Sequence, residues 1–553
     1  MSAKSASPPR TAAKPAHWLN GAYPLLWIAI GAFLIYGQSV GFSYTFLDDH
    51  NLILSQMSKI SHLSYIPQAF REDVFHTPGG GGVYYRPILT VSFVIDAVIG
   101  GGSLKAFHIS NIIFHILAAF LLFLCLAALT PSRLKAFLGS LLFLFHPVVT
   151  QAVAWIPGRN DTLLAVFILA SFYFFIQYVQ HGKLRDALLH AVAWFLALLT
   201  KETAIILPLL LLPAGLLLFK VPLRKLAIPI GSWIGLGLIW LLIRASVLGN
   251  ATAYTTDDSL ASLIRNLPAL MPFLGKSLFP FQLSVFPILP DMWISSILGG
   301  LSVIILVLLV VVSRPRNTGY FLFSIFWFLL FLLPTFIKHT QTPDLTEHRI
   351  YLPLTGIILF FMVSGPVNTM DLRNLTPKIL SFGLIGLFAV LTIVHLQAFK
   401  DRYAFWNNAV KTSPTHAYNY NTLGAMYFLD GDLEQAEPYF RKALQLNPSE
   451  PQANSNIGLV AMRKGDFAEA EKFYKTEIRV NPTYDHVYYN YGLLYYQKGQ
   501  VDSAIISWEK TIVVNPTYTD AYQALMLIYD TLRRQNDYYR IVELAQKNGL
   551  INP

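Results

Sequence analysis

This chain is short of charge and nearly without cysteine. Lys, Arg, Asp and Glu make up only 13% of its 553 residues, where a soluble globular chain carries about 25%. Its one cysteine, Cys125, lies in an apolar run, so an intrachain disulfide is excluded and there is no dithiol for redox chemistry. No set of His, Cys and acidic residues has the tight spacing of a metal site. The glycine run GGGG at 79–82 lacks the Lys-Ser/Thr that completes a phosphate-binding loop, so it reads as a flexible segment or lid. No small-residue cleavage site follows the first apolar run. That run therefore reads as an uncleaved span behind a polar, basic tail, residues 1–21, and not as a signal peptide.

What the chain has instead is hydrocarbon, at 54% hydrophobic residues. Apolar runs predict eleven membrane spans near 22–42, 107–129, 136–153, 162–180, 187–200, 203–219, 226–244, 293–312, 319–338, 350–365 and 379–397. Residues 262–289 are also apolar. Pro268, Pro272, Pro280 and Pro287 break them, so they read as re-entrant or interfacial. The expected fold is all-α: a polytopic helix bundle over 22–399, with a long first outer loop at 43–106, then a water-soluble helical solenoid over 400–553.

Charge separates the two parts. Residues 1–399 hold 25 Lys and Arg against 14 Asp and Glu, while residues 400–553 hold 16 against 17. Basic residues such as Arg133, Lys135, Lys183, Arg185, Lys220, Arg224 and Lys225 concentrate in alternate loops. By the positive-inside rule these loops and the N-terminus are cytoplasmic. Eleven spans then put the C-terminal part outside the cytoplasm. Basic inner loops explain the net charge of +10, so no nucleic-acid partner is called for.

The C-terminal part repeats every 34 residues. Gly424, Gly458 and Gly492 are in register, as are Ala436, Ala470 and Ala504, and as are Phe440, Tyr474 and Trp508. Pro448, Pro482 and Pro516 close the units. This is the tetratricopeptide pattern, with repeats at 415–448, 449–482 and 483–516 and a degenerate cap at 517–546, where Met526 replaces the glycine. Such arrays bind peptides or proteins; the plainer role is to brace the membrane part.

Several polar motifs fall at outer span ends on this topology. Asp48 and Asp49 follow span one in TFLDDHNL. Tyr85 and Arg86 lie in YYRP, His146 in HP, Arg159 and Asp161 in GRND, Lys201 and Glu202 in TKET, and Glu347, His348 and Arg349 in EHRIY. Ionisable groups near membrane depth are costly and usually functional. Arg86, Arg159, Lys201 and Arg349 have the chemistry to hold a phosphate. Asp48, Asp49, Asp161, Glu202 and Glu347 offer bases or metal ligands. A lipid phosphate held by such cations is an activated leaving group, and a neighbouring carboxylate can take a proton from an acceptor hydroxyl. The plain alternatives are ion pairs between sequence neighbours (Arg159 with Asp161, Lys201 with Glu202, Glu347 with Arg349), a satisfied core histidine at His115, a helix cap or pocket wall at His146, and a cap at Asp48 and Asp49 for a helix starting at His50.

The segments FLDDHNLI, YYRPILTVSFVIDAVIGGGSLKAFHISNIIFHIL, HPVVTQAVAWIPGRNDTLLA, TKETAI and EHRIYLPLTG, followed by the repeats, resemble the transmembrane-and-tetratricopeptide O-mannosyltransferases and their prokaryotic relatives. These are C-type glycosyltransferases. The resemblance implies inverting transfer of a hexose, typically mannose, from a polyprenyl or dolichyl phosphate to Ser or Thr of an acceptor protein held by the repeats. Beyond that lipid-linked donor it fixes no cofactor, and it leaves a divalent metal open without ligand spacing to support one. It also implies Asp48 as base, Asp49 as its orienter, Asp161 as a further acid of the site, and Arg86, Lys201 and Arg349 as donor-phosphate ligands. Gln151 departs from the pattern, since relatives often carry Glu there. Two competing readings remain: a polymerase or ligase of lipid-linked glycans, against which the Asp pair argues, and a non-enzymatic envelope scaffold, which leaves the outer-face motifs unexplained.

Overall fold

The computed structural model describes residues 19–75, 83–249, 256–313, 318–337 and 345–551. The glycine run 79–82, the basic tail residues Lys4, Arg10 and Lys14, and the inner-loop Arg314 and Arg316 lie outside the described residues. The chain divides into two compact units, 1–405 and 406–553. Both are helical, with no strand among the described residues.

In the first unit, seven helices are long and apolar enough to cross a bilayer: Tyr23–Gly41, Leu104–Leu129, Ile156–His181, Leu223–Leu248, Leu289–Val312, Thr318–Phe336 and Leu375–Phe399. The pair Arg133–Leu144 and Pro147–Ala154, bent by 50°, makes an eighth if it is one span. Pro147 causes the bend, because it has no N–H to continue the ladder. The count of eleven is reached only if three shorter helical segments cross as well. These are Leu184–Leu198 with 15 residues, Tyr351–Val363 with 13, and Glu202–Leu218. At 1.5 Å per residue, the first two span about 20 Å of a hydrocarbon core near 30 Å. Tyr351–Val363 is buried along nearly its whole length, so protein rather than lipid surrounds it and the bilayer does not dictate its length.

Lipid-facing and protein-facing helices differ in where their apolar side chains point. Leu104–Leu129 buries Phe107, Ile112, Ile116 and Phe123 against its neighbours. The outer helices leave large side chains bare, with Leu242 71%, Val311 73% and Leu380 68% exposed. Rows of that kind are stable only against hydrocarbon.

The first outer segment, expected as a loop, instead folds. It contains the helix Pro87–Gly100, which buries Leu89, Phe93 and Val94 and carries Asp96. The proline-broken stretch 262–289 forms the helix Leu270–Leu278. Its Gly275 lies against Gly299 of Trp293–Val312; a Cβ on Gly275 would meet Ser295 O at 2.0 Å.

The second unit is a stack of helix pairs: Ala417–Leu429 with Leu433–Leu446, Ala453–Lys464 with Phe467–Val480, Asp485–Gln497 with Val501–Val514, and Thr519–Thr531 with Gln535–Lys547. The repeating small residue has a steric cause. A Cβ on Gly424 would meet the Phe440 ring at 2.8 Å, one on Gly458 the Tyr474 ring at 2.6 Å, and one on Gly492 the Trp508 ring at 2.4 Å. The second glycine of each repeat ends the first helix. Gly431, Gly465 and Gly499 sit at φ of +81°, +81° and +72°, where a Cβ is strained.

Candidate functional site

The acidic loop leaves the first helix at Gly41 and turns sharply. Phe46 sits at φ +59°. Asp49 then folds back onto the loop: its Oδ2 accepts from Thr45 N at 3.1 Å and from Thr45 Oγ1 at 2.5 Å. Trp155 Nε1 donates to the same oxygen at 3.4 Å. Asp49 therefore stands at the N-terminus of the π-turn His50–Leu54 without capping it, because its carboxylate points back to Thr45. Burial pushes the Asp49 carboxyl up to about 6, against the pull of its Thr45 and Trp155 hydrogen bonds and with Asp48 adding to the rise. Asp48 is half-buried beside it.

The second part of the site joins the turn before helix Arg159–His181 to the turn after Leu184–Leu198. Lys201 Nζ donates to Asp161 Oδ1 at 2.6 Å and to Asn160 Oδ1 at 2.8 Å. His348 Nε2 lies 4.0 Å from Asp161 Oδ2. The His348 ring packs at 5.4 Å against Trp155, whose other contact is Asp49. Trp155 and His348 thus link the acidic loop to the Lys201–Asp161 pair. Burial pulls the Lys201 ammonium down to about 7; Asp161 resists, while Arg349 and Arg86 add to the fall. Arg86 and Arg349 therefore each lie within electrostatic reach of Lys201. Arg86 donates through Nε and Nη2 to Glu202 Oε2, at 3.1 and 3.0 Å, and covers the Tyr84 ring at 4.4 Å. Tyr85 points away and donates to Phe70 O.

The ion pairs at these motifs join residues far apart in sequence. The pairing is crossed: Asp161 with Lys201, Glu202 with Arg86, Glu347 with Lys276, and Arg159 with Asp96. Arg159 is not brought to the cation cluster. Its guanidinium is fully buried and donates to Asn111 Oδ1 at 2.7 Å, Phe107 O at 2.7 Å and Ser92 Oγ at 3.3 Å, with Asp96 Oδ2 at 2.5 Å. Those partners consume its donors and leave it pinning three helices together.

Glu347 also lies in a network of its own. Its Oε1 accepts from Lys276 Nζ and from Ser284 N, each at 2.7 Å, and its Oε2 is 2.9 Å from His395 Nε2. Burial opposes its charge, but Lys276 and His395 outweigh that and hold the carboxyl below the usual range. This network fixes the turn Glu347–Ile350, which carries His348 and Arg349. His146 is a cap: Nδ1 accepts from Val148 N and Nε2 faces Ser277 O. His115 is satisfied by Tyr351 Oη at 2.7 Å and Leu144 O at 3.0 Å.

Gln151 has a clear geometry. Its Oε1 accepts from His348 N at 3.1 Å and its Nε2 donates to Val285 O at 3.0 Å. An amide can do both; a carboxylate can only accept. Asp96, Lys276 and His395 were missed in the sequence. Each is a lone ionisable group in an apolar run, and that was the available signal. Among the described residues, no group of three or more His, Cys, Asp and Glu is arranged to hold a metal.

Comparisons with known proteins add a second line of evidence. A family model described as dolichyl-phosphate-mannose-protein mannosyltransferase matches residues 90–249. Tetratricopeptide-repeat models match 417–450 and 456–521. Protein O-mannosyl-transferase Tmtc1 of Drosophila melanogaster is 29% identical over 177 residues, 32% of this chain and 20% of that protein. Protein O-mannosyl-transferase TMTC2 of Mus musculus is 32% identical over 120 residues, 22% and 14%. Protein O-mannosyl-transferase F38B6.6 of Caenorhabditis elegans is 24% identical over 377 residues, 65% and 53%. The matched stretches thus span from 14% to 53% of these curated relatives. A mannosyltransferase-type membrane segment followed by tetratricopeptide repeats is the order that the sequence motifs point to, and the similarity of this chain to the transmembrane-and-tetratricopeptide O-mannosyltransferase family rests on both segments.

Proposed function

We propose that this chain is a membrane glycosyltransferase. In this reading it moves a hexose of the mannose class from a polyprenyl-phosphate carrier to hydroxyls of an acceptor protein, with inversion, on the non-cytoplasmic side of a plasma or inner membrane. The observation that carries the reading is the convergence of Arg86, Lys201 and Arg349 at helix ends, joined through His348 and Trp155 to the loop of Asp48 and Asp49. The printed descriptions of the family model and the relatives support the same chemistry.

The donor's tail stays in hydrocarbon, so its phosphate lies at the depth where spans end. Asp48 takes the proton of the acceptor hydroxyl. The freed oxygen attacks the anomeric carbon, and the bond from that carbon to the phosphate oxygen breaks. The lipid phosphate leaves with the electron pair, and the cations stabilise the charge it gains. Asp49 holds the loop, Asp161 holds Lys201, and Glu202 holds Arg86. Tyr85, His146, Glu347 and His348 shape or fix these turns. Arg159 falls outside the donor ligands and braces the helices beneath them.

The repeats bind the acceptor. They offer packing residues in register, and their clustered ion pairs, such as Glu437 with Arg441 and Lys464, are solvent-exposed. Purified chain supplied with labelled polyprenyl-phosphate mannose and acceptor protein should transfer the label to protein, and Arg86→Ala or Arg349→Ala should weaken donor binding first. Label on polysaccharide alone would instead favour a glycan polymerase. Protease added to spheroplasts should clip the repeats from outside; clipping from the cytoplasmic side alone would overturn the sidedness.

A further inference from the structure

The loop of Asp48 and Asp49 is held from an unexpected direction. Residues 397–405 are the last of the membrane unit, and the chain runs from them into the repeats. This segment docks onto the end of the first helix and then onto the acidic loop. Gln397 Nε2 donates to Gln38 Oε1 at 2.7 Å, and Ser43 N donates to Lys400 O at 2.8 Å. Arg402 then places its guanidinium between two rings, 5.2 Å over Phe46 and 5.3 Å over Tyr403. The same ring stacks on His50 at 6.4 Å, with 21° between planes.

Phe46 is the residue that needs holding. It stands at φ +59°, a region that a bulky side chain rarely enters and that persists only where the surroundings enforce it. Two residues later comes Asp48. If Phe46 relaxed to negative φ, the chain direction after it would change and Asp48 would move, although Asp49 would still be tied to Thr45. Cation–π contacts occur about once per 70–80 residues, so the contact alone says little. Its place, over the one backbone outlier next to the proposed base, gives it meaning.

We propose that Arg402 is a positioning residue for Asp48 and acts through the ring of Phe46. Resting on the reading of Asp48 as base, the inference assigns the segment before the repeats a role in the chemical step. Releasing Phe46 misplaces the base without touching the cations that hold the donor phosphate.

The test uses the full-length chain and labelled polyprenyl-phosphate mannose. Arg402→Ala should lower kcat by about three- to tenfold, the range of such a contact, and leave the KM for donor within about twofold. Arg402→Lys should retain most of the activity, because an ammonium also sits over a ring. Phe46→Gly adopts φ +59° without strain and has no ring, so adding Arg402→Ala to it should cost clearly less than Arg402→Ala costs in the parent chain. Additive losses in that double variant overturn the proposal. So does a fall in kcat that comes with loss of folded protein in both Arg402 variants. Parent activity in Arg402→Ala while Asp48→Asn is inactive sinks this inference alone; parent activity in Asp48→Asn sinks the reading beneath it.

Discussion

Lys201 Nζ lies 2.6 Å from Asp161 Oδ1, although 40 residues separate them and Glu202 adjoins Lys201 in the chain. The partner was chosen by the fold and not by sequence distance. Both groups are buried, so removing one strips the other of its nearest charged partner. Breaking a buried pair in this way costs about 3–5 kcal/mol. Lys201→Met should lower the unfolding midpoint accordingly, and Lys201→Met with Asp161→Leu should recover most of it. Donor binding should stay weak in the double variant, because the cation is still missing. If binding recovers along with stability, Lys201 is only a brace.

The same lysine sets a pH dependence. Its ammonium is pulled down to about 7, first by burial. Donor affinity should therefore fall as pH rises above 7, and Lys201→Arg, which stays charged, should flatten the curve. Stability should move the other way. An unfolded lysine titrates near 10.4, so between about 7 and 10.4 the unfolded chain binds more protons than the folded one, and the contribution of Lys201 to stability rises with pH. Donor titrations and unfolding midpoints at pH 6, 7, 8 and 9 would show the two trends diverging.

The acidic pair should divide its labour. Asp48→Asn removes the proposed base and nearly keeps the shape, so transfer should drop by about 10²–10⁴ with donor binding intact. Asp49→Asn should be milder, because an amide oxygen can still accept from Thr45. Rates for both variants, with donor binding scored separately, decide the matter. Parent rates in both would return the pair to a structural role.

Fold class and repeats were legible because they rest on periodicity: apolar runs of bilayer length, and a 34-residue register with glycine beneath an aromatic ring. The site was legible as a set of motifs but not as a set of pairs. Arg159 reads like a phosphate ligand in GRND, and only the fold shows Asp96, Asn111 and Phe107 O closing around it. Lys276, in the stretch 262–289 read as re-entrant or interfacial, is the partner of Glu347. Pairing across more than a hundred residues, as between Arg86 and Glu202, follows from helix packing, which local pattern does not encode.

Gln151 gives a prediction at a position where the resemblance leads to an expectation of Glu. Its amide accepts from His348 N and donates to Val285 O. Gln151→Glu keeps the size and loses the donor, and sets a carboxylate against a carbonyl oxygen in a buried place. An unsatisfied buried polar group costs about 1–3 kcal/mol, and a charged one more. His348 and Arg349 ride on the turn that Gln151 holds, so transfer should fall with stability. Gln151→Met, which loses both bonds without adding charge, should be the gentler change. An unaltered unfolding midpoint in Gln151→Glu would mean that a nearby group supplies the missing proton.

The repeats permit a test of acceptor binding that leaves the membrane unit untouched. A methyl group on Gly458 would meet Tyr474 ring carbons at 2.6 and 2.8 Å, closer than real contacts allow. The ring lies in the middle of a layer with Ala461, Ala470 and Val487 and has no room to retreat. Gly458→Ala should therefore cost about 1–3 kcal/mol by overpacking. Tyr474→Leu in the same chain should relieve part of it. Because each repeat supports its neighbours, the loosened layer should disturb the whole array. Transfer to the native acceptor protein should fall, while transfer to a short Ser/Thr peptide, which needs only the membrane unit, should continue near the parent rate. Equal loss with both acceptors, in protein whose membrane unit remains folded, would mean that the repeats serve the chemical step and not the choice of acceptor.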